Sequence, residues 1–173
     1  PWRLAKFVFI HDSARVPNPP QSMGELLDWA RDNPGRFTHP DPANFMGASF
    51  LKQALISLVD TPATLQNPVG EADYATLTAP LWAWYDALRP LMWREGETFP
   101  ENESIQTRLL NDGEIDITMS FDPSYAAAAI NLGLLPDTAR VFVPEGGTLG
   151  NISFVAIPYN AAHAEGAQAL RSL

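Results

Sequence analysis

No cysteine occurs in the 173 residues. That excludes disulfides, thiolate metal ligands, thiol nucleophiles and CxxC redox chemistry together. Positive charge is also scarce, with 11 basic residues against 20 acidic ones, a net charge of −9 and a pI near 4.6. An acidic surface repels phosphate backbones and anionic membranes, so nucleic acid is not an expected partner. The only lysines are Lys6 and Lys52. No apolar run reaches the roughly 18–20 residues a membrane span needs. His11, His39 and His163 lack HxxxH or HExxH spacing, so no metal site is expected. The GxSxG elbow of serine hydrolases is missing. The glycine-rich stretch Glu145–Asn151 has neither GxGxxG spacing nor a Walker lysine, so no nucleotide cofactor is expected. A charged leader is absent as well. The chain opens on Pro1 inside an apparent strand, as a segment cut from a longer protein would.

What is present is an alternation of elements. Hydrophobic residues make up 46% of the chain, enough for one compact core. Leu4–Ile10 reads as a strand with an apolar centre. Ser22 and Glu25 match a capping box opening a helix over Met23–Asp32, which Asn33-Pro34-Gly35 stops. Arg36–His39 is a short strand candidate, with His39 read as a surface residue. A loop from Pro40 to Gly47 follows, then a helix over Ala48–Val59 with apolar residues at i, i+3, i+4 spacing. Leu77–Arg94 reads as a long aromatic helix that Pro90 splits. Its Trp82 and Tyr85, at i, i+3, are expected to pack together against the core. Glu103–Asp112 is a short helix with Gly113 as its cap, and Ile115–Ser120 is a strand. Asp122-Pro123 is expected to start a helix running to Leu132, aspartate as N-cap and proline in the first helical position. Strands over Arg140–Val143 and Ser153–Ile157 flank the glycine loop, read as a flexible turn. Asn160 is expected to cap a last helix, Ala161–Leu170.

This order points to an α/β fold with a mainly parallel sheet flanked by helices. In such sheets ligands bind beyond the carboxyl ends of the strands, against helix N-termini. Two connections fit. Gly47-Ala48-Ser49 offers backbone N–H groups, a glycine that permits close approach and a hydroxyl; plain helix capping is the ordinary alternative. Ser120-Phe121-Asp122-Pro123-Ser124-Tyr125 offers hydroxyls, a carboxylate and an aromatic face, although Asp122 could serve only as a cap. No acidic pair is singled out by apolar surroundings, so the residues give no support for catalysis.

Several segments also resemble a known family. Pro19-Pro20-Gln21-Ser22-Met23-Gly24-Glu25-Leu26-Leu27 followed by Asn33-Pro34-Gly35-Arg36-Phe37 resembles the start of the second lobe in family 1 extracellular solute-binding proteins. Asn111-Asp112-Gly113-Glu114-Ile115-Asp116 resembles that family's helix-to-strand step. Gly150-Asn151-Ile152-Ser153-Phe154-Val155 is similar to the strand returning to the first lobe. Within the family, the chain is most similar to the YnjB-like group of ABC-transporter binding proteins.

The resemblance implies a single lobe of a type II periplasmic-binding-protein-like fold over residues 1–173, with 1–12 and 152–160 as hinge or crossover strands. It implies a small solute captured in the periplasm and delivered to ABC permease subunits, with a first lobe that is absent from this chain. The ligand-binding edge would comprise Gly47, Ala48, Ser49, Ser120, Asp122, Tyr125 and Asn151, with no catalytic residue, metal or cofactor. Two alternatives share the scaffold: the effector-sensing domain of a transcription regulator, and a small-molecule enzyme.

Overall fold

The computed structural model describes residues 3–68 and 70–171, so the strand start at Pro1 lies outside the described residues. The order of strands and α-helices is β1 (Arg3–Lys6), β2 (Val8–Asp12), α1 (Met23–Asp32), α2 (Phe45–Leu58), α3 (Glu71–Leu88), α4 (Glu103–Asn111), β3 (Ile117–Ser120), α5 (Tyr125–Asn131), β4 (Ala139–Phe142), β5 (Gly150–Ser153) and α6 (Ala164–Arg171). Four successive helices, α1 to α4, separate the opening strands from β3, and α5 joins β3 to β4.

The opening strand divides at Phe7. Its N–H donates to the Leu149 carbonyl at 2.9 Å, and its carbonyl accepts from the Thr148 hydroxyl. The ring turns into the core, edge-on to Phe9 and Phe121 with centroids 5.3 Å from each. On one side of this break β1 pairs with β5 in a two-stranded ladder; on the other, β2 enters a three-stranded sheet of order β3-β2-β4. All five β2 residues and all four of β3 are buried, which is why the run at Phe7–Ile10 is unbroken by polar residues.

The expectation of a mainly parallel sheet is corrected here. Every ladder is antiparallel: β2 against β3, β2 against β4, and β1 against β5. Among the described residues the one parallel pairing is the isolated bridge Phe37–Ile117, all that forms of the strand expected at Arg36–His39. The reason is directional. β3 and β4 both oppose β2 and so run the same way, joined over it by α5 as a crossover would join parallel strands. The chain enters through β2 from the other end, and it enters in the middle. Hydrophobic periodicity carries no information about that direction.

Other boundaries shift for local reasons. Asn44 caps α2, its side chain accepting from the Met46 N–H, so the helix begins three residues before Ala48. α3 begins before Leu77, tolerates Pro80 and gives way at Leu88 to the single turn Arg89–Leu91, the split expected from Pro90. Trp84 and Tyr85 are buried, but Trp82 is 42% exposed, against the expectation that it joins the core. Asp122 does not cap α5 directly; its Oδ1 accepts from the Ser124 N–H and hydroxyl in a turn before the helix. The strand expected over Ser153–Ile157 ends at Ser153, because no described strand lies beside the residues beyond it. The last helix starts at Ala164 rather than Ala161.

The main core lies between the sheet and α1–α3, around Phe7, Phe9, Phe37, Phe50 and Met119. A second cluster under α4 and α5 gathers Ile10, Leu109, Leu110 and Ile115. Each fully buried phenylalanine contributes about 2–3 kcal/mol against exposure. At the far end of β3, Asp116 accepts from Arg36 Nε at 2.8 Å and from Arg15 at 3.2 Å, pinning the Phe37 bridge to the sheet.

Candidate functional site

The two connections singled out by sequence meet at the end of the sheet where β3 finishes and β2 begins. Phe121 is the junction. Its ring lies 5.2 Å from Phe45 in the first turn of α2 and 5.3 Å from Phe7 at the break between β1 and β2. The loop after His39 is tied to the approach of α4 by the Asp41 N–H, which donates to the Pro100 carbonyl at 2.9 Å. Asn102 caps α4 by accepting from the Ile105 N–H at 3.1 Å. The N-termini of α2, α4 and α5 and the β1–β5 ladder therefore share one rim.

Ser120, Asp122 and Tyr125 come together there with a residue that the sequence did not flag. Glu103, in the first turn of α4, accepts a hydrogen bond from the Ser120 hydroxyl. Burial pushes its carboxyl pKa up, the nearby Asp122 charge adds to that, and the Ser120 bond opposes both. The Ser120 oxygen also accepts from the Asp122 N–H at 3.2 Å. The Tyr125 hydroxyl sits 3.1 Å from Thr107 Oγ1, linking α5 to α4. Only the capping sequence Asn102-Glu103 could have pointed to Glu103, and capping alone does not place a carboxylate against a strand end 17 residues further along the chain.

The first connection is arranged differently from its sequence reading. Gly47 is buried in the first turn of α2, and a Cβ there would stand 2.2 Å from the Pro40 carbonyl oxygen and 2.3 Å from that of Asp41. The close approach it permits is that of its own preceding loop. Ser49 is buried too, and its hydroxyl donates to the Phe45 carbonyl at 2.7 Å, back along its own helix. Ala48 is half-buried and Phe45 is 58% exposed, so these two present α2 to the rim. Asn151 sits in β5 opposite Ala5, on the ladder rather than among the helix ends.

Behind the rim, His39 is fully buried rather than at the surface. Its Nδ1 donates to the Pro40 carbonyl at 2.7 Å and its Nε2 accepts from the Tyr85 hydroxyl at 2.9 Å. It thus holds the start of the 40–44 loop against α3. Among the described residues, no group of three or more His, Asp or Glu side chains is placed to share a metal ion.

Residues 1–172 match the family model described as bacterial extracellular solute-binding protein. The chain belongs to this family of bacterial extracellular solute-binding proteins. It is 40% identical over 161 residues to Protein YnjB of Escherichia coli strain K12, a match covering 93% of this chain and 42% of that protein. It also resembles the solved periplasmic binding protein AfuA from Actinobacillus pleuropneumoniae, with exogenous fructose-6-phosphate bound. There the TM-score is 0.59 at 16% identity, over 97% of this chain and 46% of the other. The chain thus spans less than half the length of these relatives, and the AfuA likeness speaks to fold alone.

Proposed function

We propose that this solute-binding family member is one lobe of a two-lobe cleft that captures a small solute in the periplasm and presents it to the permease subunits of an ABC importer. The observation that carries this reading is the convergence of three helix N-termini and the β1–β5 ladder on one rim, joined through Phe121. Backbone N–H groups at such ends bind polar or anionic groups of a solute without any catalytic residue, so the reading is a binding module and not an enzyme.

In this reading residues 1–12 and 152–160 are the crossovers to a first lobe, and the antiparallel β1–β5 pair supports that role. The solute-facing residues are Asp122, Tyr125 and Ala48, with Glu103 added and Asn151 near the crossover, while Ser120, buried at the end of β3, acts by positioning Glu103 through its hydroxyl. Gly47 and Ser49 act from behind, since their close contacts are with the α2 region itself. Helix N-termini favour an anionic group on the solute, whereas Glu103 and Asp122 favour a cationic or hydroxylated one. A zwitterionic or polyhydroxylated solute satisfies both.

Native mass spectrometry of the intact protein from its host would identify the co-purified solute. Calorimetry on that solute should then show Ser120→Ala and Tyr125→Phe each weakening binding about tenfold, as loss of a buried hydrogen bond does. Ser49→Ala should change it little. Unchanged affinity in both Ser120→Ala and Tyr125→Phe would overturn the assignment of the rim.

A further inference from the structure

A recess elsewhere on the lobe is lined by none of the rim residues. It lies between α2, the turn Pro62–Gln66 and α3, about 340 Å³ in volume and walled by Leu55, Leu65, Leu77 and Leu149, with Lys52 and Tyr74 also lining it. We propose that this recess binds an apolar molecule ending in a carboxylate.

Its volume falls within the ~300–1,000 Å³ of small-molecule sites, and its make-up follows their pattern of apolar walls with few polar groups. One wall is fixed in advance. The Leu149 N–H donates to the buried Gln53 Oε1 at 2.8 Å, and Gln53 Nε2 donates to Ser57 Oγ at 3.0 Å. The Thr78 hydroxyl, also on the lining, is turned back to the Tyr74 carbonyl at 2.9 Å and so adds no polarity to the walls. A recess of leucines held open by a buried amide gains by burying an alkyl or aryl group, at about 0.8 kcal/mol per methylene.

Charge selects the other end of the ligand. Lys52 is the only charged side chain among the described residues lining the recess, and one of two lysines in a chain of net charge −9. Lys52 is itself exposed, so its charge lies at the open side of the recess rather than within the apolar walls. A carboxylate at the mouth complements it, and a cationic head group would be repelled. Tyr74, 56% exposed, adds a neutral hydroxyl-bearing side chain to the same lining.

The test uses the full natural chain that carries these residues and titrates it calorimetrically with decanoate, decanol and decyltrimethylammonium below their micellar concentrations. Decanoate is expected to bind with one-to-one stoichiometry and decyltrimethylammonium at least tenfold more weakly. Lys52→Gln should weaken decanoate about fivefold or more and leave decanol unchanged, since only the charged contact is removed. Leu77→Trp, which fills the recess, should abolish binding of both while circular dichroism and melting temperature report an intact fold. Ser120→Ala on the rim should leave decanoate binding as it is. The proposal fails if millimolar decanoate gives no heat, if the quaternary amine binds equally well, or if Leu77→Trp binds decanoate like the parent chain.

Discussion

Acidifying the chain from pH 7 to pH 4 should cost the folded state about 3 kcal/mol through His39 alone. The ring is sealed between Phe50 and Phe99, whose centroids each lie 4.9 Å away, and both its nitrogens are occupied. A carbonyl only accepts, so the single ring proton sits on Nδ1 toward Pro40 and the Tyr85 O–H points at Nε2. Adding a second proton would turn Nε2 from acceptor to donor and place a charge where no solvent reaches. Burial accordingly pushes the pKa from 6.5 down to about 4, against smaller opposing effects of the Pro40 hydrogen bond and the Asp41 charge. Because the folded pKa lies below the unfolded one, the stabilisation by neutral His39 is complete above pH 6.5. It is lost as the pH falls, because the unfolded chain takes up a proton the folded chain refuses. At about 1.4 kcal/mol per pH unit, the gap amounts to about 3 kcal/mol, reached near pH 4. Urea unfolding between pH 4 and 7.5, on the parent chain and on His39→Gln, isolates this contribution, since every other group titrates in both. The variant should be less stable at pH 7, having lost the stacked ring. Its stability should then fall by about 3 kcal/mol less than that of the parent between pH 7 and pH 4. Parallel curves would refute the argument and mean that water reaches the ring.

Two further outcomes test the scaffold of the rim. Gly47→Ala drives a Cβ into the backbone carbonyls of Pro40 and Asp41, atoms that cannot rotate away. It should destabilise by about 1–3 kcal/mol, or roughly 2–4 °C in melting temperature for each kcal/mol, and an unchanged melting temperature would show that the loop yields freely. Asp116→Asn removes the buried carboxylate that accepts from Arg36 and Arg15. With Arg36 about a third exposed, the cost should be about 2 kcal/mol by urea unfolding, and a loss below about 0.5 kcal/mol would demote the network to a surface ion pair.

What could be read from the sequence, and what could not, divides along a physical line. Features set by residues near one another were legible. The Ser22–Glu25 cap, the stop at Asn33-Pro34-Gly35, the split near Pro90 and the left-handed Gly113, at φ 73°, are local matters. So was the buried run at β2. Strand direction was not legible, because an apolar run looks alike in both directions, and the antiparallel entry of β2 is fixed by where the chain comes from. His39 was misread for a related reason: its burial depends on Tyr85 and Phe99, 46 and 60 positions away, and nothing beside it in sequence announces them. The rim lies between these cases. Its two loops were found as connections after strands, but Asn44 outcompetes the glycine as the start of α2, and that shift of three residues turns Ser49 inward. Glu103 enters only because α4 folds back on β3. A site made where helix ends converge is thus specified twice: once by local capping signals, and once by aromatic contacts such as Phe121 with Phe7 and Phe45 that no local signal predicts. On the proposed reading, the second specification decides which polar groups a solute meets. If the rim binds the solute as proposed, calorimetry on Phe121→Ala should show a loss of affinity as large as that of Tyr125→Phe, and an unchanged affinity would count against that reading.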